Sequence, residues 1–596
     1  MDRKDIDKSL KWDTEKIYKT DEDFYKDVEE VKNLIEKTKT YKGRILESAD
    51  SLYEFLKTSE KLERKFSKLG VYASLKSDED TRVAKYQEMT KIADNLFANL
   101  AQELSFITPE ILSEDYKKVK TYIEEKDELK IYEHYFEDLF RNKDYTLTEN
   151  EEKIIASFSK LSQNPQNTYM IFSNADLKFP KVKKDGEEIQ ITDANFTNLE
   201  LDSNREFRKE VYEKYYEVYK QFENTAASLL DGEMTANNTI AKLKKFDSAR
   251  KMSLFANNID EKVYDNLVEV IHDNIEIHRD YTSLRKEVLG LDDLGFQDIY
   301  LPLVENYNKT YSFDEAKELI LKALAPLGED YIKKAREGFE DRWFDVMENE
   351  GKRSGGYSSG SYDTEPYILL NYNDSLDSLF TTAHELGHSM HSYYTRKTQP
   401  YIYGDYSIFL AEIASTTNEL LLLNYMIDHA KDENEKAYLL NHYVNSFKST
   451  VFRQTLFAEF ELEANKLVEN SMPVTAEKLN QIYHDLNVEY FGEDIEVDKY
   501  ISTEWARIPH FYMFYYVFQY ATGFSSAVSL SEKILHGNKE DLEKYLNFLK
   551  AGKSKYPLEV LKDAGVDMTK KDSLQKAMDV CKEKLEELKK ALKKIK

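Results

Sequence analysis

Long stretches of this sequence repeat apolar residues every three or four positions, with dense charge between them. Residues 21–143 are typical, as in SLYEFLKTSEKLERKFSKLGVYASL, and this spacing predicts amphipathic helices packed antiparallel. Only 19 Gly and 10 Pro occur in 596 residues, so few positions can end a helix. No fixed-period repeat is visible, which argues against a solenoid. We therefore expect a mainly helical protein.

The chain is long for a single hydrophobic core, so several packed lobes are expected. Between residues 170 and 201 the helical pattern gives way to short runs of alternating apolar and polar residues around a Lys-Asp-Gly-Glu turn. This pattern predicts a small β-hairpin. We expect a helical lobe over residues 1–110 and a helical segment with this β insertion over 111–200. The largest domain is expected over 201–596.

The charge balance and the apolar segments limit the possible partners. With 111 Asp and Glu against 84 Lys and Arg, the formal charge is -27, so nucleic-acid phosphates would be repelled. The stretch FYMFYYVFQYATGFSSAV is aromatic and interrupted by polar residues, which predicts a buried helix and no membrane partner. The one cysteine, Cys581, allows no intrachain disulfide, and no signal-type apolar run opens the sequence. These features predict a cytoplasmic protein.

A Gly- and Ser-rich stretch, GKRSGGYSSGSYDTEPYILLNYN, covers residues 351–373. Helical patterning continues to about Glu348, and the stretch then predicts a loop followed by a short strand at 367–371. Pro366 precedes the strand, and because proline cannot donate to a ladder it indicates an edge strand. An extended peptide could add to such an edge through its backbone.

The stretch TTAHELGHSMHSYYT places His384, Glu385, His388 and His391 within eight positions, on a predicted helix. Residues four apart share one helix face with Cβ atoms about 5–6 Å apart. His384 and His388 can therefore converge on one ion, with Zn–N bonds near ~2.0–2.1 Å. Glu385 is rotated by roughly 100° from His384, so it can reach a water at the open position of the metal, where a general base is needed.

A catalytic zinc usually has three protein ligands, so a third must come from elsewhere. A straight helix cannot wrap His391 around the same ion as His384, and the metzincin spacing is not matched. We expect a supporting or packing role for His391 in preference to a ligand role.

Acidic residues follow at Asp405, Glu412 and Glu419. Burying Glu412 in the apolar run IFLAEIAST is costly unless it is paired or metal-bound, which favours it over Asp405. The chain must reverse before Glu412 to bring it to the histidines. Glu419, two turns further on, could hold the ring N–H of a histidine ligand, and an ordinary interhelical hydrogen bond is the equal alternative.

Four segments in order, KRSGGYSSGSYDTEPYILLNY, HELGH, EIAST and RIPHFYMFYYVFQYATG, resemble the thimet oligopeptidase-like family of zinc metallopeptidases. The resemblance covers nearly the whole chain. It implies a multi-lobed helical fold with a small β element beside the active-site helix, a deep substrate channel, and a zinc peptidase catalytic domain over 201–596. It implies one Zn²⁺ per chain, bound by His384, His388 and Glu412, with Glu385 as the base that supports hydrolysis of internal bonds in short unstructured peptides.

The resemblance also assigns roles outside the metal motif. A histidine and tyrosines in its last segment donate hydrogen bonds to the substrate and to the developing oxyanion, which implies catalytic roles for His510, Tyr512 and Tyr515. The sequence departs from the thimet-type branch here, since FYMFYYVFQY replaces a Gly-rich loop. The substrate-binding residues that we expect are Gly355, Gly356, Tyr357, Tyr367, Tyr516 and Tyr520.

Two other functions are compatible with parts of this pattern. A metallocarboxypeptidase would use the same helix motif and would need a cationic pocket for the terminal carboxylate, for which Arg507 is available. A helical peptide-binding protein without turnover is disfavoured by Glu385. Mn²⁺ or Co²⁺ could also support turnover in a site of nitrogen and oxygen donors.

Overall fold

The computed structural model describes residues 2–304 and 309–595. The chain forms two compact units, and each combines three distant segments of the sequence. The first unit contains Met1–Thr146, Lys309–Tyr425 and Leu530–Gly565, and the second contains Leu147–Asn308, Met426–Ser529 and Val566–Lys596. The predicted domains are consecutive stretches of sequence, divided near residues 110 and 200 where the residue pattern changes. The two units of the structure are instead defined by which segments pack together.

The prediction of a mainly helical, multi-lobed protein is confirmed. The first helices are α1 (Asp21–Lys39), α2 (Ala49–Glu79), α3 (Ala84–Glu103), α4 (Ile107–Leu112), α5 (Tyr116–Glu125), α6 (Glu133–Arg141), α7 (Glu149–Ser162) and α8 (Asn164–Ile171). A hairpin of β1 (Lys181–Lys184) and β2 (Glu187–Gln190) follows. The next helices are α9 (Phe196–Leu199), α10 (Arg205–Gln221), α11 (Glu223–Leu243), α12 (Ala249–Phe255), α13 (Glu261–Asp273), α14 (Ile275–Leu289), α15 (Phe313–Ala323) and α16 (Glu329–Glu340).

Three further strands precede the remaining helices. The strands are β3 (Phe344–Met347), β4 (Tyr357–Ser359) and β5 (Tyr367–Tyr372). The helices are α17 (Leu376–Thr398), α18 (Ile408–Asp428), α19 (Glu433–Phe447), α20 (Arg453–Glu469), α21 (Ala476–Phe491), α22 (Phe518–His536), α23 (Lys539–Ala551), α24 (Pro557–Asp563) and α25 (Asp572–Ile595).

The hairpin predicted after residue 170 is present, with β1 and β2 paired antiparallel. Its two central turn residues, Asp185 and Gly186, have φ values of 52° and 89°. Left-handed conformations at both central positions suit the right-handed twist of the strands. The Asp-Gly pair therefore determines the turn.

The prediction that residues 367–371 form an edge strand is wrong. The sheet order is β3-β5-β4, so β5 is central, parallel to β3 and antiparallel to β4. Pro366 lies just before β5 and removes no hydrogen bond from its ladder. The segment expected to continue as helix to Glu348 contains β3, and the predicted Gly- and Ser-rich loop contains β4, which is an outer strand.

The sheet packs on the N-terminal helices of the first unit. Tyr367 and Leu369 of β5 join a core with Trp12 and with buried residues of α1, α2 and α3. The Trp12 indole N–H donates to Glu79 Oε1 at 2.8 Å. This core holds β5 against α17, which follows it after three residues.

The aromatic stretch at 511–528 is partly helical, as α22 begins only at Phe518. A 3₁₀ turn at Pro509–Tyr512 precedes it, and Phe514 and Tyr515 have positive φ values of 38° and 52°. The apolar residues of α22, such as Ala521 and Val528, are buried. Among the residues that the structure describes, no helix has the length and apolarity needed to cross a membrane.

Candidate metal centre

Helix α17 presents both motif histidines on one face. Ser375 caps its first turn, where the Ser378 N–H donates to Ser375 Oγ at 3.1 Å. The Nε2 atoms of His384 and His388 lie 3.1 Å apart, as the spacing of four residues requires. Both imidazoles therefore point at one position beside the helix.

Helix α18 supplies a carboxylate to the same position. After α17 the chain reverses through a 3₁₀ turn at Tyr401–Tyr403 and returns as α18. Glu412 Oε2 lies 3.3 Å from His384 Nε2 and 3.5 Å from His388 Nε2. Across the described residues, this trio forms the one group of three His, Cys, Asp or Glu donors close enough to share an ion, with all three atoms within 4.8 Å.

Gly387 allows α17 and α18 to approach this closely. A Cβ added at Gly387 would lie 2.6 Å from Ser415 Cα and 2.9 Å from Ala414 O. Real Cβ atoms do not reach backbone atoms at such distances. The small residues of the EIAST segment face this glycine, so both helices contribute to the close crossing.

Replacement of Gly387 by Ala is expected to lower the free energy of unfolding by about 1–3 kcal/mol, because a backbone contact leaves the added methyl no room. Gly70→Ala in α2 is the matched control, since nothing lies within 4 Å of the added Cβ. The control should be neutral or stabilising by up to ~1 kcal/mol. Urea denaturation measures both variants. Equal stability of the two would mean that the crossing tolerates a side chain.

Glu419, seven residues after Glu412, contacts the other ring nitrogen of His384. The Nδ1–H of His384 donates to Glu419 Oε1 at 2.5 Å. This bond fixes the tautomer that leaves Nε2 free as a metal donor. Ser415, which the sequence did not single out, donates from Oγ to the Glu412 carbonyl at 3.0 Å and lies 3.4 Å from Glu412 Oε2.

The electrostatic field where His384, His388 and Glu412 converge favours positive charge. Burial disfavours charge on His384, but its hydrogen bonds to Glu412 and Glu419 outweigh burial and raise its pKa to about 10. Burial acts to raise the pKa of Glu412, and the hydrogen bonds to His384 and His388 reverse this and lower it. A divalent cation would take the place of the proton that this group of donors stabilises.

The donor set fits a metal ion. Two imidazole nitrogens and one carboxylate oxygen are a common set for catalytic zinc. Ligand atoms at ~2.0–2.1 Å from a tetrahedral ion are separated by about 3.3 Å. The three separations in the trio, from 3.1 to 3.5 Å, match this value.

The side chain of Glu385 lies on the side of α17 that packs on the sheet, and the residue is 7% exposed. Burial raises the pKa of its carboxyl, while the neighbouring His384 and His388 lower it. A Cβ added at Gly356 would lie 3.8 Å from Glu385 Oε1 and 2.9 Å from Thr381 Cγ2. The glycine before β4 thus leaves space beside the carboxylate, and Ser358 in β4 is hydrogen-bonded to Ser389 of α17 at 2.8 Å.

His391 and Asp405 lie outside the donor group. His391 is 1% exposed and stacks on Tyr406, with ring centroids 3.7 Å apart. Its burial lowers its pKa to about 3, as expected for a neutral core histidine. Asp405 is exposed and pairs with Lys553 at 3.2 Å.

The expected substrate residues around β4 and β5 hold the sheet in place. The Tyr357 hydroxyl donates to Asp78 Oδ2 at 2.7 Å, and the buried Tyr367 donates to Asp13 O at 3.0 Å. Gly355 has a φ of 87°, and the Asn371 side chain donates to its carbonyl at 2.8 Å. The side chains of these two tyrosines are thus bound to the N-terminal segments, and β4 forms one edge of the sheet.

The last motif segment lies in the second unit, and its tyrosines differ in burial. Tyr512 is 6% exposed and stacks on Tyr169 at 4.4 Å, while Tyr515 is 1% exposed. Tyr516 and Tyr520 are half-buried. The Tyr520 hydroxyl lies 3.4 Å from His510 Nε2. Tyr516 and Tyr520 are therefore the more accessible tyrosines near His510. No sequence signal separates them from Tyr512 and Tyr515, because all four fit an apolar pattern.

The strained backbone at Tyr515 is bound by a buried carboxyl group. The Tyr515 N–H donates to Glu461 Oε1 at 2.5 Å, and Glu461 is 4% exposed. Burial raises the pKa of Glu461 to about 8, and the bond from Tyr515 opposes this increase only in part. The folded structure thus favours the protonated form of Glu461.

Glu461 makes stability depend on pH. An unfolded glutamate has its ordinary pKa of 4.5. Between this value and the folded pKa, unfolding releases a proton, so the free energy of unfolding falls as pH rises, by up to about 1.4 kcal/mol per pH unit from this group. Glu461→Gln should remove this part of the slope in urea denaturation at several pH values. The exposed Glu463 on the same helix gives the control, Glu463→Gln, and equal slopes in both variants would contradict the assignment.

A helix carrying H-E-x-x-H, with a carboxylate donor from the next helix, defines a metallopeptidase. The comparisons with known proteins place the chain within this class: it belongs to Peptidase family M3, whose profile matches residues 198–580. A second profile, described as Oligopeptidase F, matches residues 110–179. The protein is therefore a metalloendopeptidase that hydrolyses oligopeptides.

Relatives match over nearly the whole chain. Oligopeptidase PepF of Bacillus subtilis is 45% identical over 596 residues, covering 100% of this chain and 89% of its own length. Group B oligopeptidase PepB of Streptococcus agalactiae is 44% identical, covering 98% of both chains. The crystal structure of oligoendopeptidase-F from Enterococcus faecium has a TM-score of 0.75 and 36% identity, covering 96% of this chain and 99% of that one. The resemblance seen in the sequence is confirmed.

Proposed function

We propose that this metalloendopeptidase is a zinc enzyme in which His384, His388 and Glu412 bind one Zn²⁺ and Glu385 is the general base. The convergence of the three donor atoms within 4.8 Å carries the proposal. Zinc bound there would supply Lewis acidity towards a water and towards the peptide carbonyl. The matched separations of the donors and the bond from His384 to Glu419 support this choice.

Glu385 moves the proton in this proposal. Within the described residues its carboxylate has no hydrogen-bond partner, so it is free to accept a proton from the attacking water. The same carboxyl then returns the proton to the nitrogen of the leaving amine. Its raised pKa suits both steps, because a base whose pKa lies nearer to neutrality also releases the proton readily.

Short peptides are proposed to bind as an added strand on β4. The outer position of β4 and its contact with α17 support this, together with the space that Gly356 leaves beside Glu385. Backbone pairing gives affinity with little side-chain preference, which suits an enzyme for varied peptides. The deep channel that the resemblance implies stays a prediction, as does the cytoplasmic location inferred from the sequence.

His510 and the tyrosines after it are proposed to donate hydrogen bonds to the substrate. The family resemblance supports the role, and the half-buried positions of Tyr516 and Tyr520 favour these two over Tyr512 and Tyr515. Loss of one oxyanion donor commonly lowers kcat by about 10²–10³-fold.

Tyr520→Phe is therefore expected to lower kcat about 100-fold or more with a small change in KM. Tyr512→Phe is the matched control, because Tyr512 is buried against Tyr169 and should affect stability more than kcat. Steady-state kinetics and urea denaturation of both variants separate the two effects. Equal kcat values for Tyr520→Phe and the wild type would remove Tyr520 from the oxyanion role, and the same measurement on Tyr516→Phe tests the alternative.

The overall proposal is tested by mass spectrometry of products from an unstructured peptide of roughly ten residues with both ends blocked, together with the metal content of the purified protein. Internal cleavage with one zinc per chain is expected. Release of terminal residues would instead favour a carboxypeptidase. Arg507 makes that alternative weak, because it is bound to the Tyr215 hydroxyl at 3.0 Å and lies 3.5 Å from Glu504 Oε1. Bound zinc without cleavage would contradict the proposal.

A further inference from the structure

The second unit contains a cavity of about 210 Å³ that the peptidase chemistry does not use. Helices α14, α20 and α21 contribute to its wall, as does the turn between α19 and α20. Much of the wall is aromatic, including Phe296, Phe452 and Phe491. An apolar cavity of ~150 Å³ is large enough for a benzene ring, so this one has room for a ring and a small polar group.

A buried lysine lies in this wall. Lys448 is 9% exposed, its Nζ donates to the Ile299 carbonyl at 3.0 Å, and it lies 5.2 Å from the centroid of the Tyr300 ring. Among the described residues, no carboxylate lies within 4 Å of the ammonium. An ammonium has three donors, and burying it without a counter-ion is costly. An anion in the cavity would offset this cost.

The nearby acids do not neutralise Lys448. Glu504, which also lines the cavity, is already bound by Arg453 at 2.5 Å and by the Tyr483 hydroxyl at 2.5 Å. The next carboxyl group, Glu200, is 1% exposed, and burial raises its pKa well above the ordinary value. Burial, and then Arg285 and Arg453, lower the pKa of Lys448, so its ammonium form is disfavoured in the empty cavity and a bound carboxylate would stabilise it.

The backbone at Lys448 gives an independent sign of function. Lys448–Phe452 forms a π-helical turn between α19 and α20. Such turns are rare in proteins, and those that occur are often found at functional sites. This one places both Lys448 and Phe452 in the cavity wall.

We propose that this cavity binds a small organic monocarboxylate, with the carboxylate on Lys448 Nζ and the apolar body among Phe296, Phe452 and Phe491. A charge-assisted hydrogen bond from a buried ammonium gives the carboxylate its affinity, and the aromatic wall selects an apolar body. A free acid and the C-terminal residue of a short peptide both present this chemistry. The site is distinct from the His384, His388 and Glu412 group, which belongs to the first unit.

Calorimetric titration of the full-length, metal-loaded protein tests this proposal. The probes are benzoate and its uncharged isostere benzamide, with the dipeptide alanyl-phenylalanine as a peptide carboxylate. Benzoate is expected to bind at least about tenfold more tightly than benzamide, since one charge-assisted bond is worth roughly 1.4 kcal/mol or more. Tighter binding of the dipeptide than of benzoate would favour a peptide C-terminus as the ligand, and the reverse order would favour a free acid.

Three variants locate the binding. Lys448→Met keeps the length of the side chain and should abolish the preference for benzoate over benzamide. Ser449→Phe, which fills the cavity and leaves the ammonium, should abolish binding of both probes. Lys262→Met removes an exposed lysine of the same unit and should change nothing.

The proposal is overturned by absence of saturable benzoate binding to the wild type, by equal affinity for benzoate and benzamide, or by a preference that survives in Lys448→Met. The last result would place the benzoate elsewhere, for example at the metal centre. If Lys448→Met does not fold, the wild-type comparison and Ser449→Phe decide the question. Because binding is the readout, the result does not depend on the proposed peptidase mechanism.

Discussion

Glu385→Gln is expected to lower kcat by about 10²–10⁴-fold while the protein keeps its metal, because the amide cannot accept the proton of the attacking water. The proposed donors His384, His388 and Glu412 are untouched by this change, so the metal content should equal that of the wild type. The variant should also be at least as stable as the wild type. Glu385 is 7% exposed, and a neutral amide is less costly to bury than a carboxylate.

The measurement combines steady-state kinetics on an end-blocked peptide with metal analysis of the same sample. Glu340→Gln, on the exposed face of α16 in the same unit, controls for the loss of one carboxylate and should retain full kcat. A Glu385→Gln enzyme with more than about one tenth of the wild-type kcat would place the general base elsewhere. Loss of metal in this variant would instead make Glu385 part of the binding group.

Glu412→Gln and Glu419→Gln are expected to weaken metal affinity to different degrees. Glu412 places its oxygen among the donor atoms, so its conversion to a neutral amide should weaken affinity by more than about 100-fold. Glu419 acts through His384 Nδ1, and loss of such a supporting partner typically costs about 10–100-fold. The two substitutions are chemically identical and lie two turns apart on α18, so each is the control of the other.

Competition with a chromogenic chelator measures both affinities, and kcat is then compared at saturating metal. Glu419→Gln should regain much of its activity when metal is in excess, because the three donors remain. Glu412→Gln should not. A larger loss of affinity in Glu419→Gln than in Glu412→Gln would exchange the two roles. Equal and small losses would mean that the histidines alone bind the ion.

Local patterns were sufficient to predict the helical half of the candidate site. The spacing of His384 and His388 determines their position on α17 whatever surrounds the helix, because side chains four residues apart share a face. The apolar run around Glu412 favoured it over Asp405 as the third donor. In the structure α18 places Glu412 near the histidines with its side chain 44% exposed. The Asp-Gly turn of the hairpin is equally local.

The order of the strands and the burial of the tyrosines depend on packing between distant segments. Pro366 indicated an edge strand, but β5 is central because two flanking segments with weak strand patterns, β3 and β4, pair with it. Tyr512, Tyr515, Tyr516 and Tyr520 are alike in sequence, and only their neighbours in the fold make the first two buried and the last two accessible.

The sequence by itself therefore determined most of the helices, the hairpin, and the donor types and spacing of the metal motif, since each depends on contacts within a few residues along the chain. Only the tertiary structure decided that Glu412 and Glu419 contact His384 and that Gly387 sets the distance between two helices. It also decided that β4, next to Gly356 and Glu385, is an outer strand. It also decided that Lys448 lies in an aromatic cavity. These features join residues tens to hundreds of positions apart, and burial and close packing of the whole chain specify them.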